Sequence, residues 1–436
     1  MNGAIAAGNR YTAEAGARVL AAGGNAVDAC IGAAFTAAVT EGPLTGPTGG
    51  GFLLAWVDGE ATVLDCFFAA PSRPLGEIED LTIDFGDSTQ SYHVGEGSVA
   101  VPGLVAGLEE AHRRFATVPW SQLVEPAIEL ARAGVETTES QRFLHLILAA
   151  ILQRDDGGRR IYGDVDRIET ADFVPTLERL RDAGAQAVSE LVPELAEDIA
   201  AYRVQAPEPL RRRIGEHDVL TTPPPSRGGT IVAATLERLA WAETLEERAR
   251  ALQHGYAAAP PLPVAGTTHI SVLDAAGNAA ALSSTLGAGA GIFRNGTQLN
   301  NMLGELDVIG AAPAVPGERL ASMMTPTLVL EDGRPRIALG SAGSVRLAGA
   351  IAQVTDAVVR GTPVAEAIEQ PRIHVVDGTL HLEGGIEDQP GEGWEVVRWR
   401  SRNLYFGGVA AVERRPDGTL AAAGDPRRGG FGIVVG

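Results

Sequence analysis

In the stretch VAGTTHISVLD, Val264 to Asp274, a glycine precedes two threonines at the mouth of an alternating run that reads as a β-strand. A threonine hydroxyl is a poor nucleophile unless a base lies beside it, and the nearest base a residue can have is its own α-amino group. A free α-amine has a pKa of about 7.7 to 8, so near neutrality a useful fraction can accept a proton. Such an amine exists only where a chain begins at the threonine. Attack of the Thr267 hydroxyl on the Gly266 carbonyl, with cleavage of the bond between the two residues, would create one. Gly266 tolerates the strained backbone that exposes a carbonyl to attack. Thr267 is β-branched and stiff about χ1, which holds its hydroxyl in place.

The elements that position this threonine follow from the next residues. Asp274-Ala275-Ala276-Gly277-Asn278 joins two alternating runs, a three-residue hairpin loop with glycine at its left-handed position. Pairing Asp274 with Asn278 sets opposed residues to a constant sum, which puts Thr267 across from Thr285. From there the Thr285 hydroxyl is expected to hydrogen-bond the Thr267 oxygen and orient it. His269 lies two positions after Thr267 and reads as a packing element on the strand's same face rather than a base.

Around the hairpin the chain has two characters. The first half is helix-rich: Thr12 to Ala22, Ala26 to Val39, Val105 to Val135, Phe143 to Leu152 and Thr176 to Val192, with Gly23-Gly24-Asn25 as a cap and fresh start. Thr48-Gly49-Gly50-Gly51 leads into an apolar strand. The breaker cluster Pro223 to Gly229 precedes a helix at Ile231 to Leu239 and another through His254, and Tyr256 to Val264 reads as an exposed tether. Beyond Gly266 strands dominate: Thr268 to Leu273, Ala279 to Thr285, Thr327 to Leu330, Arg336 to Leu339 and Ile433 to Val435. The expected organisation is therefore an α+β chain with regions 1–266 and 267–436.

Composition narrows the function. The 436 residues are 45% hydrophobic and only 5% aromatic, ordinary for a globular protein, and all 35 basic residues are arginine. A net charge of −20 argues against nucleic acid, and Arg211-Arg212-Arg213 reads as solvated surface. Cys30 and Cys66 lack metal-ligand or disulfide-framework spacing and read as small buried hydrophobes. No His/Asp/Glu cluster has metal spacing, so neither metal nor cofactor is expected. No apolar run reaches the roughly 18 residues of a membrane span, and the first residues lack the pattern of a signal peptide, so the expected location is the cytoplasm.

Several longer motifs accompany the hairpin: GGNAVDACIGAAF (Gly23 to Phe35), GPTGGGFLL (Gly46 to Leu54), SVAVPGLVAGLEEAHRRF (Ser98 to Phe115), PWSQLVEPAIELARAG (Pro119 to Gly134) and PPPSRGG (Pro223 to Gly229). After them come TTHISVLDAAGNAAALSSTL (Thr267 to Leu286), LNNM (Leu299 to Met302), MTPTLVL (Met324 to Leu330) and GSAGSVR (Gly340 to Arg346). In this order they resemble the γ-glutamyltranspeptidase family of N-terminal-nucleophile (Ntn) hydrolases. The resemblance implies an αββα sandwich made as one chain that cuts itself between Gly266 and Thr267 into two fragments that stay together. It implies Thr267 as nucleophile, Thr285 as the orienting threonine, and an oxyanion hole at Gly343-Ser344, where the family has two glycines. Ser344 still offers a backbone N–H if it accepts the backbone angles.

The substrate positions depart from the family pattern. Where the family grips an α-carboxylate with an arginine and two serines, this chain has Phe67 and the pair Ser322-Met323; Phe cannot replace a bidentate guanidinium. The amine-binding stretch reads Asn300-Asn301-Met302-Leu303-Gly304-Glu305, keeping one acid, and the segment from Asp307 to Arg319 is short where relatives often carry a lid. Arg73 or Arg346 could fill the missing guanidinium's place. Three functions fit: an acyl amide hydrolase or acyltransferase with altered acyl specificity, acting on a small-molecule amide with water or an amino-acid or peptide acceptor; a true γ-glutamyl enzyme of glutathione metabolism; or a non-catalytic single-chain relative serving in binding or assembly.

Overall fold

The computed structural model describes residues 2–84, 89–259, 266–305 and 315–436. Its centre is two six-stranded sheets. In chain order the strands are β1 (Gly3–Ala7), β2 (Gly50–Val57), β3 (Glu60–Cys66), β4 (Leu210–Ile214), β5 (His217–Thr221), β6 (Thr268–Asp274), β7 (Ala279–Thr285), β8 (Thr327–Glu331), β9 (Arg334–Ala342), β10 (Gly408–Arg414), β11 (Leu420–Gly424) and β12 (Phe431–Val435). One sheet has the order β12-β1-β6-β7-β2-β3 and the other β11-β10-β9-β8-β5-β4, with every neighbouring pair antiparallel.

The layering follows from side-chain alternation. Successive strand residues point to opposite faces, so Ala4 and Ala6 of β1, Ala279 and Ala281 of β7, Ala338 of β9 and Val412 of β10 meet in the core between the sheets. Ile5, Ile270, Val272 and Leu282 face the other way, into a helix layer of α1 (Arg10–Ala21), α2 (Ala26–Thr40), α3 (Leu104–Phe115) and α4 (Trp120–Ala133). On the far side Ile337, Leu339, Val409 and Ala411 pack against α5 (Arg227–Leu239), α6 (Leu245–Ala258) and α7 (Leu347–Val359). This is an αββα sandwich. Among the described residues no helix is long and apolar enough to cross a membrane.

The expected elements are present with informative differences. Asn25 caps α2 with a full capping box to Asp28, and Gly23 takes φ +92, as the Gly-Gly-Asn link requires. The helical stretch from Val105 to Val135 is two helices, α3 and α4. The N-terminal strand β1 was not anticipated, because Gly3 to Ala7 has no apolar and polar alternation; both its faces are buried. The compositional change near residue 266 is no boundary between separate bodies, since each sheet takes strands from both sides of it. Most of the expected tether lies outside the described residues, as does the start of the short 307–319 segment. Cys30 and Cys66 are buried free thiols, and burial pushes Cys66 up to about 12.

The sheets touch closely at one point. A Cβ added to Gly340 on β9 would stand 2.3 Å from Cε1 of His269 on β6. The expected consequence is that Gly340→Ala costs about 1–3 kcal/mol by overpacking, read as a lowered urea or thermal midpoint; an unchanged midpoint would mean the sheets separate there freely.

Candidate active site

The hairpin has the expected register. Thr268 pairs with Ser284, His269 with Ser283 and Leu273 with Ala279, and the turn closes with Asp274 N–H to the Asn278 carbonyl at 3.0 Å and Gly277 at φ +94. Continuing the ladder by one residue sets Thr267 opposite Thr285. Both are buried, at 2% and 0% exposure.

Gly266 adopts φ +61, and a Cβ there would lie 2.1 Å from the Gly287 carbonyl oxygen. No other residue fits that space in that conformation. The Thr285 hydroxyl donates to the Gly266 carbonyl oxygen, and the Gly287 N–H donates to the Thr285 oxygen at 2.9 Å. Thr285, which faces Thr267 across the ladder, thus also engages the carbonyl one residue before it. Strand geometry explains it. Thr267 precedes the first ladder residue, and the left-handed turn at Gly266 swings its carbonyl toward β7.

Strand alternation divides the neighbours of Thr267. His269 and Ser271 share its side. His269 Nδ1 meets the Ser283 hydroxyl and Nε2 the Ser271 hydroxyl, both at 2.8 Å, and burial drops its pKa to about 3. It is a neutral packing group, as expected. Thr268 points to the helix layer and donates to Glu41 Oε2 at 2.5 Å, while Thr12 donates to Glu41 Oε1 at 2.7 Å. Glu41 is buried directly after α2, and desolvation holds its pKa above the ordinary carboxylate value against these two hydroxyls. Sequence reasoning missed this residue. Its signal was an acid placed between an apolar helix and the Gly42-Pro43 turn.

Gly343 and Ser344 follow β9 with φ values of +134 and +57. Ser344 therefore accepts the left-handed region that its place in the pair demands. A side chain at Gly343 would strike Gly407, whose Cα would be 2.8 Å away. The loop after Thr285 is held by the amide-and-acid pair: the Asn301 carbonyl oxygen accepts from Gly289 N–H at 3.0 Å, Asn301 donates to Glu305 at 3.3 Å, and Ala288 N–H approaches Glu305 at 3.4 Å. Asn300 ties residues 48 and 100 together instead.

The positions expected to hold a substrate carboxylate are apolar and packed. Phe67 stacks on Phe52 with centroids 5.5 Å apart and meets Phe68 edge-on at 4.9 Å. Met302 and Met323 join the same cluster, and all three side chains are at most 1% exposed. This wall adjoins the threonines: Thr285 pairs with Gly50, and Phe68 closes over Gly50 so tightly that a Cβ there would lie 2.8 Å from its ring. The Ser322 hydroxyl accepts from its own Met324 N–H at 3.0 Å.

Neither proposed substitute guanidinium reaches the wall. Arg73 is exposed, and Arg346 stacks over Tyr405 at 4.6 Å. The guanidinium of Arg319 pairs at 3.4 Å with Asp65, two residues before Phe67, and lies 4.1 Å over the Tyr202 ring. Tyr202 in turn donates to the Phe67 carbonyl at 2.5 Å. A cleft of about 640 Å³ along α1 and β12 contains none of these residues. Among the described residues no group of His, Cys, Asp and Glu is arranged to hold a metal ion.

Comparison with known proteins adds to this geometry. A family model described as Gamma-glutamyltranspeptidase matches residues 12–191 and 242–435. A glutathione hydrolase proenzyme of Pseudomonas aeruginosa is 28% identical over 99% of this chain and 94% of its own length. The acylase ACY 1 proenzyme of Pseudomonas sp. strain SE83 is 27% identical over 99% and 93%. The cephalosporin acylase of Bacillus halodurans has the same fold, with TM-score 0.77 and 19% identity over 99% of this chain and 95% of its own.

Glu41 generates a pH prediction. Its raised pKa means that the folded state holds a proton which the unfolded chain releases first, so stability falls as pH rises from the ordinary carboxylate value through the raised one. Glu41→Gln removes this slope. Urea midpoints measured from pH 4 to 8 are expected to favour the variant increasingly, relative to wild type, as pH rises; parallel curves would show that Glu41 carries no such proton.

Proposed function

The chain belongs to the γ-glutamyltranspeptidase family, and we propose that Thr267 is the nucleophile of an autoprocessed Ntn amidohydrolase or acyltransferase. The carrying observation is the left-handed Gly266 whose carbonyl is engaged by Thr285. A hydroxyl donor on that oxygen draws electron density from the carbonyl carbon and stabilises the charge that develops there on attack. In processing, the Thr267 oxygen bonds to the Gly266 carbonyl carbon and the C–N bond breaks, its nitrogen taking the hydroxyl proton. Water then hydrolyses the resulting ester, leaving a Gly266 carboxylate and a free Thr267 with its amine. The relatives' names, which include the word proenzyme, support this reading.

In turnover the Thr267 amine takes the hydroxyl proton, the oxygen attacks the substrate amide carbonyl, and the N–H groups at Gly343 and Ser344 receive the oxyanion. The proton passes to the leaving amine, and an acyl-Thr ester remains for water or an amine acceptor. Thr285, freed from the departed Gly266 carbonyl, is then available to the Thr267 oxygen. Asn301 and Glu305 position Thr285 through the 287–289 loop that they hold.

The donor is not a standard γ-glutamyl compound. The identities to a glutathione hydrolase and to an acylase are nearly equal, so they do not separate the two. The apolar wall of Phe67, Met302 and Met323 favours the acylase reading. An α-amino acid head group placed against it would leave two charges without partners in a dry site, which is expensive. The acyl chain lies on this wall instead.

Two measurements check these points. Intact mass is expected to give fragments of 266 residues and the remaining 170 of 436, abolished in Thr267→Ala and slowed in Gly266→Ala; an uncut, inactive wild type would support a binding role. Against a panel of anilides, kcat/KM is expected to be higher for aliphatic acyl groups than for γ-glutamyl, and the reverse order would restore the γ-glutamyl donor.

A further inference from the structure

Most of the buried arginines are matched to acids. Arg319 pairs with Asp65, Arg336 with Glu331, Arg372 with Asp425 and Arg427 with Glu383. Two partly buried arginines beside the candidate oxyanion hole are not. Arg346 comes two residues after Ser344, and its guanidinium lies 4.6 Å over the Tyr405 ring. Arg428 donates to the neighbouring Leu404 carbonyl at 3.3 Å, and its Nη2 is 3.9 Å from where a Cβ at Gly343 would be. The two side chains thus flank the same 404–405 segment. Among the described residues neither makes an ion pair, and the Nε of each is buried without a hydrogen-bond partner.

The nearby acids are committed elsewhere. Asp425 serves Arg372 at 2.6 Å and Arg427 at 3.2 Å. Glu41 accepts from Thr12 and Thr268. Two adjacent guanidiniums that make no ion pair among the described residues repel one another, and burial together with Arg346 holds Arg428 down to about 10 against the pull of Asp425. Such a pair gains most from an incoming anion.

Arg428 also reaches toward the nucleophile's surroundings. A small cavity of about 40 Å³ is lined by Gly8, Glu41, Pro43, Leu44 and Arg428. Leu44 accepts the Leu286 N–H at 3.1 Å, and the Pro43 carbonyl is 3.6 Å from the Cβ position of Gly266. Arg428 therefore lines a cavity that shares Pro43 with the surroundings of Gly266.

We propose that Arg346 and Arg428 form an anion subsite of the active site, which takes a carboxylate borne by the substrate at a distance from its scissile amide. This rests on the Ntn amidohydrolase reading above and narrows its substrate class: the acyl chain runs along apolar side chains, and the charge sits not at the lost α-carboxylate position but beside Gly343. The carboxylate can belong to the acyl group or to the leaving amine, and the test has an arm for each.

For the acyl side, kcat/KM is compared for glutaryl and valeryl p-nitroanilides; for the amine side, for valeryl amides of 4-aminobenzoate and aniline. The carboxylate-bearing member of one pair is expected to be favoured at least about tenfold, and Arg428→Met and Arg346→Gln each to bring that ratio to near one. Ratios near one in both wild-type pairs, or a ratio untouched by either variant, would overturn the subsite. Calorimetric binding of glutarate and of benzoate is read on the same proteins, with fragment formation as the control for folding. If no amide is turned over, the amidohydrolase reading fails, yet binding of either anion by wild type and its loss in both variants still supports the subsite; no binding to wild type overturns it.

Discussion

Strands β6 and β7 sit in the middle of their sheet, and the register between them governs the candidate site. The turn at Gly277 fixes which residues oppose, and a slip of one residue would turn every side chain of a strand to the other face. With the observed register Thr267 shares a face with His269 and Ser271, toward the second sheet, while Thr268 is delivered to Glu41 in the helix layer. The same register brings Thr285 under the Gly266 carbonyl. β1 and β2, the outer neighbours of the hairpin, hold it on both sides, so the hairpin cannot shift without breaking ladders in four strands.

Polar groups in such a dry place persist because each has partners. His269 is neutral and bonded at both nitrogens; Glu41 takes a hydroxyl on each oxygen; Asn301 divides its amide between Gly289, His93 and Glu305. An unmatched group in these surroundings would cost stability comparable to a lost hydrogen bond or more. The apolar wall follows the opposite rule. Phe67, Met302 and Met323 fill their space with apolar volume and carry no charge. Charge is found instead at Arg346 and Arg428, near Gly343, where backbone N–H groups already favour negative charge.

Much of this was legible from short-range rules. The turn chemistry of Asp274 to Asn278 predicted the pairing of Thr267 with Thr285, and the Gly-Gly-Asn link predicted the junction of α1 and α2. Other features were not legible, for physical reasons. Gly3 to Ala7 is small and apolar throughout, so it shows no period, and only burial between two neighbours makes it a strand. The contact of Thr285 with the Gly266 carbonyl was one of these, because register fixes which residues oppose but not how Gly266 turns its carbonyl. Glu41 is distant in sequence from everything it binds; Thr268 is 227 residues away. The failure of Arg73 to serve the carboxylate position follows from its place on the surface.

The sequence by itself determined the local chemistry: a glycine able to take φ +61, a threonine after it, a facing threonine, and the replacement of an arginine and a serine by phenylalanine and methionine. These depend on residue type and on spacing within one hairpin or one motif, where backbone geometry leaves few choices. Only the tertiary structure decided which groups from distant segments share the site. Stacking two sheets brought Gly340 against His269, packed Glu41 beneath Thr268, and left Arg346 and Arg428 beside Gly343 with no ion pair among the described residues. Those juxtapositions are set by the packing of layers, which no local pattern of residues encodes.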